Sequence, residues 1–404
     1  MDFKYTKEQE AIKEEFEEFF KEEMKHSPPE YGRGGLEGMF ATDEGWNFHR
    51  SIAKKLGEKG WLSLAWPKEY GGKDASIIEQ LIFSEVREKY RAPGVDIFGI
   101  GMFAPTLMVA ASDEQKTRLL PPIAKAEVTY CQGWSEPNAG SDLASLTTTA
   151  IKDGDHYVVN GQKIWTSGAH RADRMFLLAR TNPAEKRGKG LSVFHLQMDY
   201  PGIEVRPILY MDGTHLYNEV FFTDVRIPES DRIGPENEGW RVTRETMNFE
   251  RSGVGFFVEG RNILNELVEY VKTTKRDGRF LSENPIVRKK IAKLYSDLEV
   301  GYTLAYKIAW TQEQSGLMFA ASLASEAKLF GSELLQRVAN FATEIMGLYG
   351  QVAHSKWSPL DGAMVEAYQM CMGMNIAAGT SEIQRNLIAW VGLQLPRLKY
   401  QKTT

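Results

Sequence analysis

Residues 132–146 read QGWSEPNAGSDLASL, and after a run of strand signals residues 160–169 read NGQKIWTSGA. The first segment gathers Ser135, Ala139, Gly140 and Ser141 around Pro137. That composition lets backbone N–H groups come close to a phosphate or a ring edge. The second segment ends a short β stretch at Trp165, Thr166 and Ser167. An indole there can cover one face of a flat ligand while the hydroxyls reach its polar atoms. Alone, each segment is ordinary turn chemistry, since a Gly/Ser/Pro-rich stretch is far more often a surface loop than a ligand cradle.

Outward from these segments the periodicity divides the chain. Between about 126 and 235 the period is that of strands: Thr147 to Ile151, Tyr157 to Val159, Met175 to Ala179, Leu191 to Met198, Ile203 to Ile208 and Glu219 to Val225. Asp153-Gly154 and Asn160-Gly161 are both strong hairpin-turn dipeptides. On either side the pattern is helical. Thr6 with Gln9 and Ser112 with Gln115 have capping-box spacing, and Ile12, Phe16, Phe19 and Phe20 share one helical face. Further helices are predicted over Trp46–Leu56, Ile77–Lys89, Trp240–Lys272, Pro285–Gln314, Leu317–Gly347 and Ser381–Leu393, with a short element around Leu360–Cys371. The expected fold class is α+β, mostly α: an N-terminal helical domain over 1–125, a middle β-barrel or sandwich domain over 126–235, and a C-terminal helical bundle over 236–404.

Composition narrows the function classes. The chain has 404 residues, 42% hydrophobic and 25% charged, with net charge −5, enough for two or three sizeable cores. No Lys/Arg run offers the electrostatic footprint of a nucleic-acid binder. The two cysteines, Cys131 and Cys371, have neither C-x-x-C spacing nor a histidine at metal-ligand spacing, so neither a disulfide framework nor a metal site is indicated and a reducing compartment fits. The first twenty residues are highly charged, and no run of about eighteen apolar residues occurs. The expectation is a cytoplasmic protein, or a processed matrix one, without membrane insertion.

The two segments together, with WPKEYGG at 66–72 and GTSEIQRN at 379–386, resemble the acyl-CoA dehydrogenase family over nearly the whole chain. The resemblance implies a C-terminal four-helix bundle, a homotetramer built as a dimer of dimers, and FAD held between the β domain and the bundle. It implies that Gln132, Gly133, Trp134 and Ser135 line the flavin ring, that Gly140 and Ser141 approach the pyrophosphate, and that Trp165, Thr166 and Ser167 pack near its reactive edge. Arg276, in KRDGRF, matches an arginine on the FAD diphosphate of a neighbouring subunit, for which a guanidinium suits a bidentate contact. Thr380 and Glu382 match a helix N-terminus that contacts FAD, and Glu344, Gly347 and Gly350 match the loop at the adenine end, although the family's Gly-Gly pair here reads Gly347-Leu348.

The chemistry so implied is loss of two hydrogens from an acyl-CoA thioester: a base takes the α-proton, the β-hydrogen leaves as hydride to flavin N5, and hydrogen bonds stabilise the enolate. The family's usual base sits in Tyr-Glu-Gly-Thr, which here reads Ala377-Ala378-Gly379-Thr380. The backbone N–H at Ala378 can still serve the thioester oxygen. In isovaleryl-CoA and long-chain acyl-CoA dehydrogenases the base comes from the first long helix of the bundle, and NFERSG at 248–253 makes Glu250 the candidate, with Asn248 and Arg251 on the substrate beside it. Asp96, the single carboxylate of PGVDIFGIGMFAPTLM (93–108), is the reserve candidate base and a substrate contact; its competing reading is a cap on the following turn. Ser141 and Ala378 complete the substrate contacts. Ala377 and Ala378 with Gly99 and Gly101 suggest room for a branched, cyclic or bulky acyl group. Electron-transfer flavoprotein is the acceptor the resemblance implies. Two other readings stay open: a flavoprotein of the same fold with different chemistry, such as a desulfinase or oxidase, and a flavin-binding subunit of a hetero-oligomeric dehydrogenase.

Overall fold

The structure, a computed structural model, describes residues 4–246, 252–315, 321–353 and 355–397. Helices α1 (Lys7–Glu23), α2 (Gly35–Phe40), α3 (Asp43–Glu58), α4 (Ile77–Lys89), α5 (Ala104–Ala110) and α6 (Asp113–Ala124) come first. Strands β1 (Tyr130–Gly133), β2 (Thr149–Asp153), β3 (His156–Lys163), β4 (Arg174–Arg180), β5 (Leu191–Gln197), β6 (Ile203–Leu209), β7 (His215–Pro228) and β8 (Arg232–Ile233) follow. Then come α7 (Gly239–Thr246), α8 (Val254–Thr273), the hairpin β9 (Lys275–Arg276) and β10 (Arg279–Phe280), α9 (Pro285–Ser315), α10 (Ala321–Met346), α11 (Ala363–Met374) and α12 (Ser381–Leu387). No helix among the described residues is long and apolar enough to cross a membrane.

The chain divides into two compact units. The first joins residues 1–21 and 76–91 to residues from 250 onward. Its core is built from α8, α9, α10 and α11 with Leu81 of α4, and includes Phe257, Leu264, Leu298, Leu334, Val338 and Ala342. The predicted capping box at the start of α1 is present: Gln9 N donates to Thr6 Oγ1 at 3.2 Å and Thr6 N to Gln9 Oε1 at 3.0 Å. Arg91 is shared between Glu259 and Glu266 of α8, at 2.7 Å each.

The second unit, residues 22–75 and 92–249, contains the sheet. Strand order is β6-β7-β3-β2-β4-β5-β8, with β1 pairing β4 in parallel. Inward residues such as Tyr157, Val159, Leu177, Phe194 and Val225 form its core. The box predicted at Ser112 and Gln115 opens α6.

Two expectations from the sequence are corrected here. Asn160-Gly161 is not a hairpin turn: β3 runs through it with a bulge, Gly161 at φ +145°. A Cβ at Gly161 would lie 2.7 Å from Thr148, and the Asn160 amide pairs instead with Asp224 of β7, at 3.0 and 2.9 Å. The dipeptide's tolerance for unusual φ serves a bulge, not a reversal. The single helix predicted over Trp240–Lys272 is α7 and α8, and Gly253, at φ +67°, precedes α8.

Candidate active site

The first of the two opening segments begins where β1 ends. Gly133 leaves room there for Met175 of β4, whose Sδ would lie 2.3 Å from a Cβ. Trp134 is buried edge-to-face against Phe176, ring centroids 5.1 Å apart. The chain then reverses: Glu136 N donates to Ala139 O at 3.1 Å and Ala139 N to Glu136 O at 3.0 Å. Beyond this turn Gly140 and Ser141 are exposed, and nothing lies within 4 Å of a Cβ built on Gly140. Gln132 Nε2 reaches Met102 Sδ at 3.5 Å.

The second segment is bound to the first by a buried ion pair. Lys163, with no exposed surface, donates to Trp134 O at 3.0 Å and to Glu136 Oε1 at 2.8 Å. Glu136 also accepts from Thr147 N, Thr147 Oγ1 and Thr148 N at 2.6, 2.8 and 2.8 Å. Burial would raise the Glu136 carboxyl, but the Lys163 ammonium and the threonine donors hold it well below the usual range. One residue on, Ile164 N donates to Ser135 O at 2.9 Å. The structure therefore joins Trp134 and Ser135 to Lys163 and Ile164, the two residues that lead into Trp165, Thr166 and Ser167.

Trp165 has φ +59° and its side chain is exposed, at 56%. Thr166 is buried. Two buried polar atoms here have no partner among the described residues: Trp134 Nε1 and Thr166 Oγ1. An unpaired buried donor costs about 1–3 kcal/mol, so two in adjacent segments flanking an exposed indole fit a polar, ring-bearing ligand such as a flavin.

Asp96 caps a turn. Its Oδ1 accepts from Phe98 N and Gly99 N at 3.0 Å each, and Oδ2 from Tyr130 N at 2.8 Å. Burial pushes its carboxyl up to about 6, against those three bonds. Gly99 is small for this cap, since its Cβ would stand 2.3 Å from Asp96 Oδ2, whereas a Cβ at Gly101 would meet only Ile97, at 3.7 Å; the volume argument for a roomy pocket then leans on Gly101, Ala377 and Ala378.

In the other unit the structure gathers Arg276, Glu344 and Gly347 at the end of α10. Arg276 Nη2 donates to Ile345 O at 2.7 Å and stands 3.9 Å from the Cβ position of Gly347, while Glu344 takes Lys290 at 3.0 Å. Gly347, at φ +62°, closes the helix, and a Cβ at Gly350 would lie 2.6 Å from Thr343 O. Thr380 is the N-cap of α12, accepting from Ile383 N at 3.3 Å, and Glu382 is exposed in its first turn. Ala378, at φ +53°, is exposed, and its carbonyl accepts from Gln384 Nε2 at 3.1 Å. Asn248, Glu250 and Arg251 lie outside the described residues.

Sequence reasoning missed Lys163, Glu136, Asn218 and His170. A lysine ending a strand reads as solvent-facing, and Asn218 sits in an alternating strand where only its complete burial marks it out.

Comparison with known proteins follows this geometry. Family models match in order: the acyl-CoA dehydrogenase N-terminal domain over residues 6–127, the middle domain over 131–225 and the C-terminal domain over 237–393. Acyl-CoA dehydrogenase FadE26 of Mycobacterium tuberculosis is 35% identical, over 98% of this chain and 99% of its own. A crystal structure of the ChsE4-ChsE5 complex from Mycobacterium tuberculosis superposes with TM-score 0.87 at 35% identity, covering 98% of this chain and 100% of that one. A structure described as a Tcur3481-Tcur3483 steroid ACAD gives TM-score 0.88 at 30% identity, with 98% and 100% covered.

Proposed function

This chain belongs to the acyl-CoA dehydrogenase family, oxidoreductases acting on CH–CH bonds, and from that premise we propose that it introduces an α,β double bond into a bulky acyl-CoA thioester with Glu250 as base. The observation that carries the cofactor half is the pair of unpartnered atoms, Trp134 Nε1 and Thr166 Oγ1, on two segments joined through Lys163 and flanking the exposed Trp165 indole. FAD supplies the two-electron acceptor that such a reaction needs. On the protein side, Trp134 and Thr166 offer polar atoms to the ring, Trp165 covers it, and Gly140 and Ser141 present an unobstructed loop to the phosphates and the thioester. Thr380 and Glu382 serve the rest of the cofactor, and Arg276 serves the FAD diphosphate of a neighbouring subunit.

Glu250 removes the α-proton, with Asn248 and Arg251 fixing the substrate beside it. Ala378 leaves the family's other base position without a carboxylate. The three backbone donors commit the Asp96 carboxylate to the turn it caps, which supports Glu250 as the base even though burial brings the Asp96 carboxyl up to about 6. A steroid-like or other polycyclic acyl group agrees with Ala377 and Ala378 and with the relative described as a steroid ACAD. Electron-transfer flavoprotein is the proposed oxidant. The buried thiols of Cys131 and Cys371 suit a reducing cytoplasm.

The test is anaerobic bleaching of the flavin by straight, branched and polycyclic acyl-CoA thioesters. Loss of bleaching in Glu250→Gln and its survival in Asp96→Asn are expected; the reverse moves the base to Asp96. A second reading concerns assembly. Both solved relatives carry two protein names, which favours a hetero-oligomer over a homotetramer. Light scattering with flavin quantification separates them: a homotetramer shows four times the 45.7 kDa chain mass and one FAD per chain without any added partner.

A further inference from the structure

We infer that Asn218 is a positioning residue that holds the turn Trp165–Ser167 in its cofactor-facing form, an inference that rests on the flavin reading above. Trp165 is in the left-handed region, which only glycine enters freely. Its indole is more than half exposed, and its ring contact with Tyr217 is edge-on at 5.8 Å, so its own burial does not hold it there. Such a conformation persists only where the neighbours over-determine it.

Before Trp165 the chain is held by Lys163 and by Ile164 N, which donates to Ser135 O. After it, Asn218 grips Thr166 twice. Thr166 N donates to Asn218 O at 3.0 Å, and Asn218 Nδ2 donates to Thr166 O at 2.9 Å. Asn218 is wholly buried. Its amide orientation is set by two stacked imidazoles, His170 and His215, with ring centroids 3.7 Å apart. Phe40 O can only accept, so His170 Nε2, 3.2 Å away, carries the hydrogen and His170 Nδ1 accepts from Asn218 Nδ2 at 3.2 Å. His215 Nε2 then donates to Asn218 Oδ1 at 2.8 Å. Each amide atom is thereby assigned, and the one bond directed at the strained turn is the donor to Thr166 O.

The test is an FAD titration of the apoprotein in four forms: wild type, Asn218→Ala, Trp165→Gly and the double variant. Glycine adopts φ +59° without strain, so Trp165→Gly removes both the indole and the conformation that needs holding. Asn218→Ala is expected to weaken FAD binding about tenfold or more beside Trp165 and less than about twofold in the Trp165→Gly background. Equal weakening in both backgrounds overturns the inference, because Asn218 then supports the sheet without regard to the turn. Unchanged affinity in Trp165→Gly alone, or no FAD binding by wild type, sinks the flavin reading itself and this inference with it. Should Asn218→Ala not fold, Asn218→Asp keeps the volume and the acceptor for His215 but removes the donor to Thr166 O. A folded Asn218→Asp protein whose flavin visible circular dichroism and FAD affinity match wild type overturns the proposal. A displaced flavin band over an unchanged far-ultraviolet spectrum supports it.

Discussion

Replacing Lys163 with methionine removes the cation from a pair whose side chains are 0% and 5% exposed. Breaking a buried pair from one side costs about 3–5 kcal/mol, because the other charge stays behind. Here Glu136 keeps three donors from Thr147 and Thr148, which puts the expectation at the low end, about 3 kcal/mol. Loss of the bond to Trp134 O adds about 1 kcal/mol. Because the chain has two compact units, a single melting temperature would blur this effect. Hydrogen exchange of peptides spanning 134–148 and 163–168 reads it locally. A combined loss of about 4 kcal/mol corresponds to opening more frequent by a factor on the order of a thousand.

The same variant carries a sign test in pH. In wild type the Glu136 carboxyl is depressed from 4.5, so its contribution is present above pH 4.5 and is lost as pH falls through the lower folded value. Without Lys163, burial dominates and raises that carboxyl, so its cost is greatest at neutral pH and is relieved on acidification. The gap between wild type and Lys163→Met should therefore narrow from pH 7 to pH 4. A gap below about 1 kcal/mol at pH 7, or one that does not narrow, would refute the role given to the pair. Adding Glu136→Gln to Lys163→Met should recover part of the loss, since no buried charge then remains.

Thr166→Val removes a buried hydroxyl oxygen that has no partner among the described residues; the apoprotein should be as stable as wild type or more so, while FAD binds about five- to tenfold more weakly by titration. His170 is drawn from 6.5 down to about 4, chiefly by burial, with His215 and Arg171 adding to the shift and the bonds to Phe40 and Asn218 opposing it. A base with a depressed folded value contributes stability above its unfolded value and loses it as pH falls, so melts should decline from pH 6.5 toward 4, and His170→Phe should flatten that decline. Asp96→Asn turns an acceptor of the Tyr130 N–H into a donor facing a donor, or gives up the Phe98 and Gly99 bonds instead; hydrogen exchange of peptides spanning 96–103 and 130–133 should report a loss of about 1–3 kcal/mol while thioester bleaching persists.

Small, hydroxyl and aromatic residues around 132–146 and 160–169 announce local conformational freedom by type, but alone each segment is ordinary turn chemistry, and reading them as one site took the family resemblance. The same local logic failed at Asn160-Gly161, where identical conformational freedom serves a bulge, since only the pairing of β3 with β7 distinguishes the two uses. It also left Asp96 undecided between base and cap: a carboxylate's role depends on which backbone amides fold against it, and Tyr130 lies 34 residues away. Lys163 and Asn218 were invisible for a related reason. Their types favour solvent, so only burial reveals them, and burial is a property of the assembled sheet. What these two share is position, on either side of Trp165, a residue of the site whose backbone is in the left-handed region. A ligand-facing indole held in a disfavoured conformation must be secured from both directions along the chain, and the fully buried polar residues beside it are where such holding groups are to be sought.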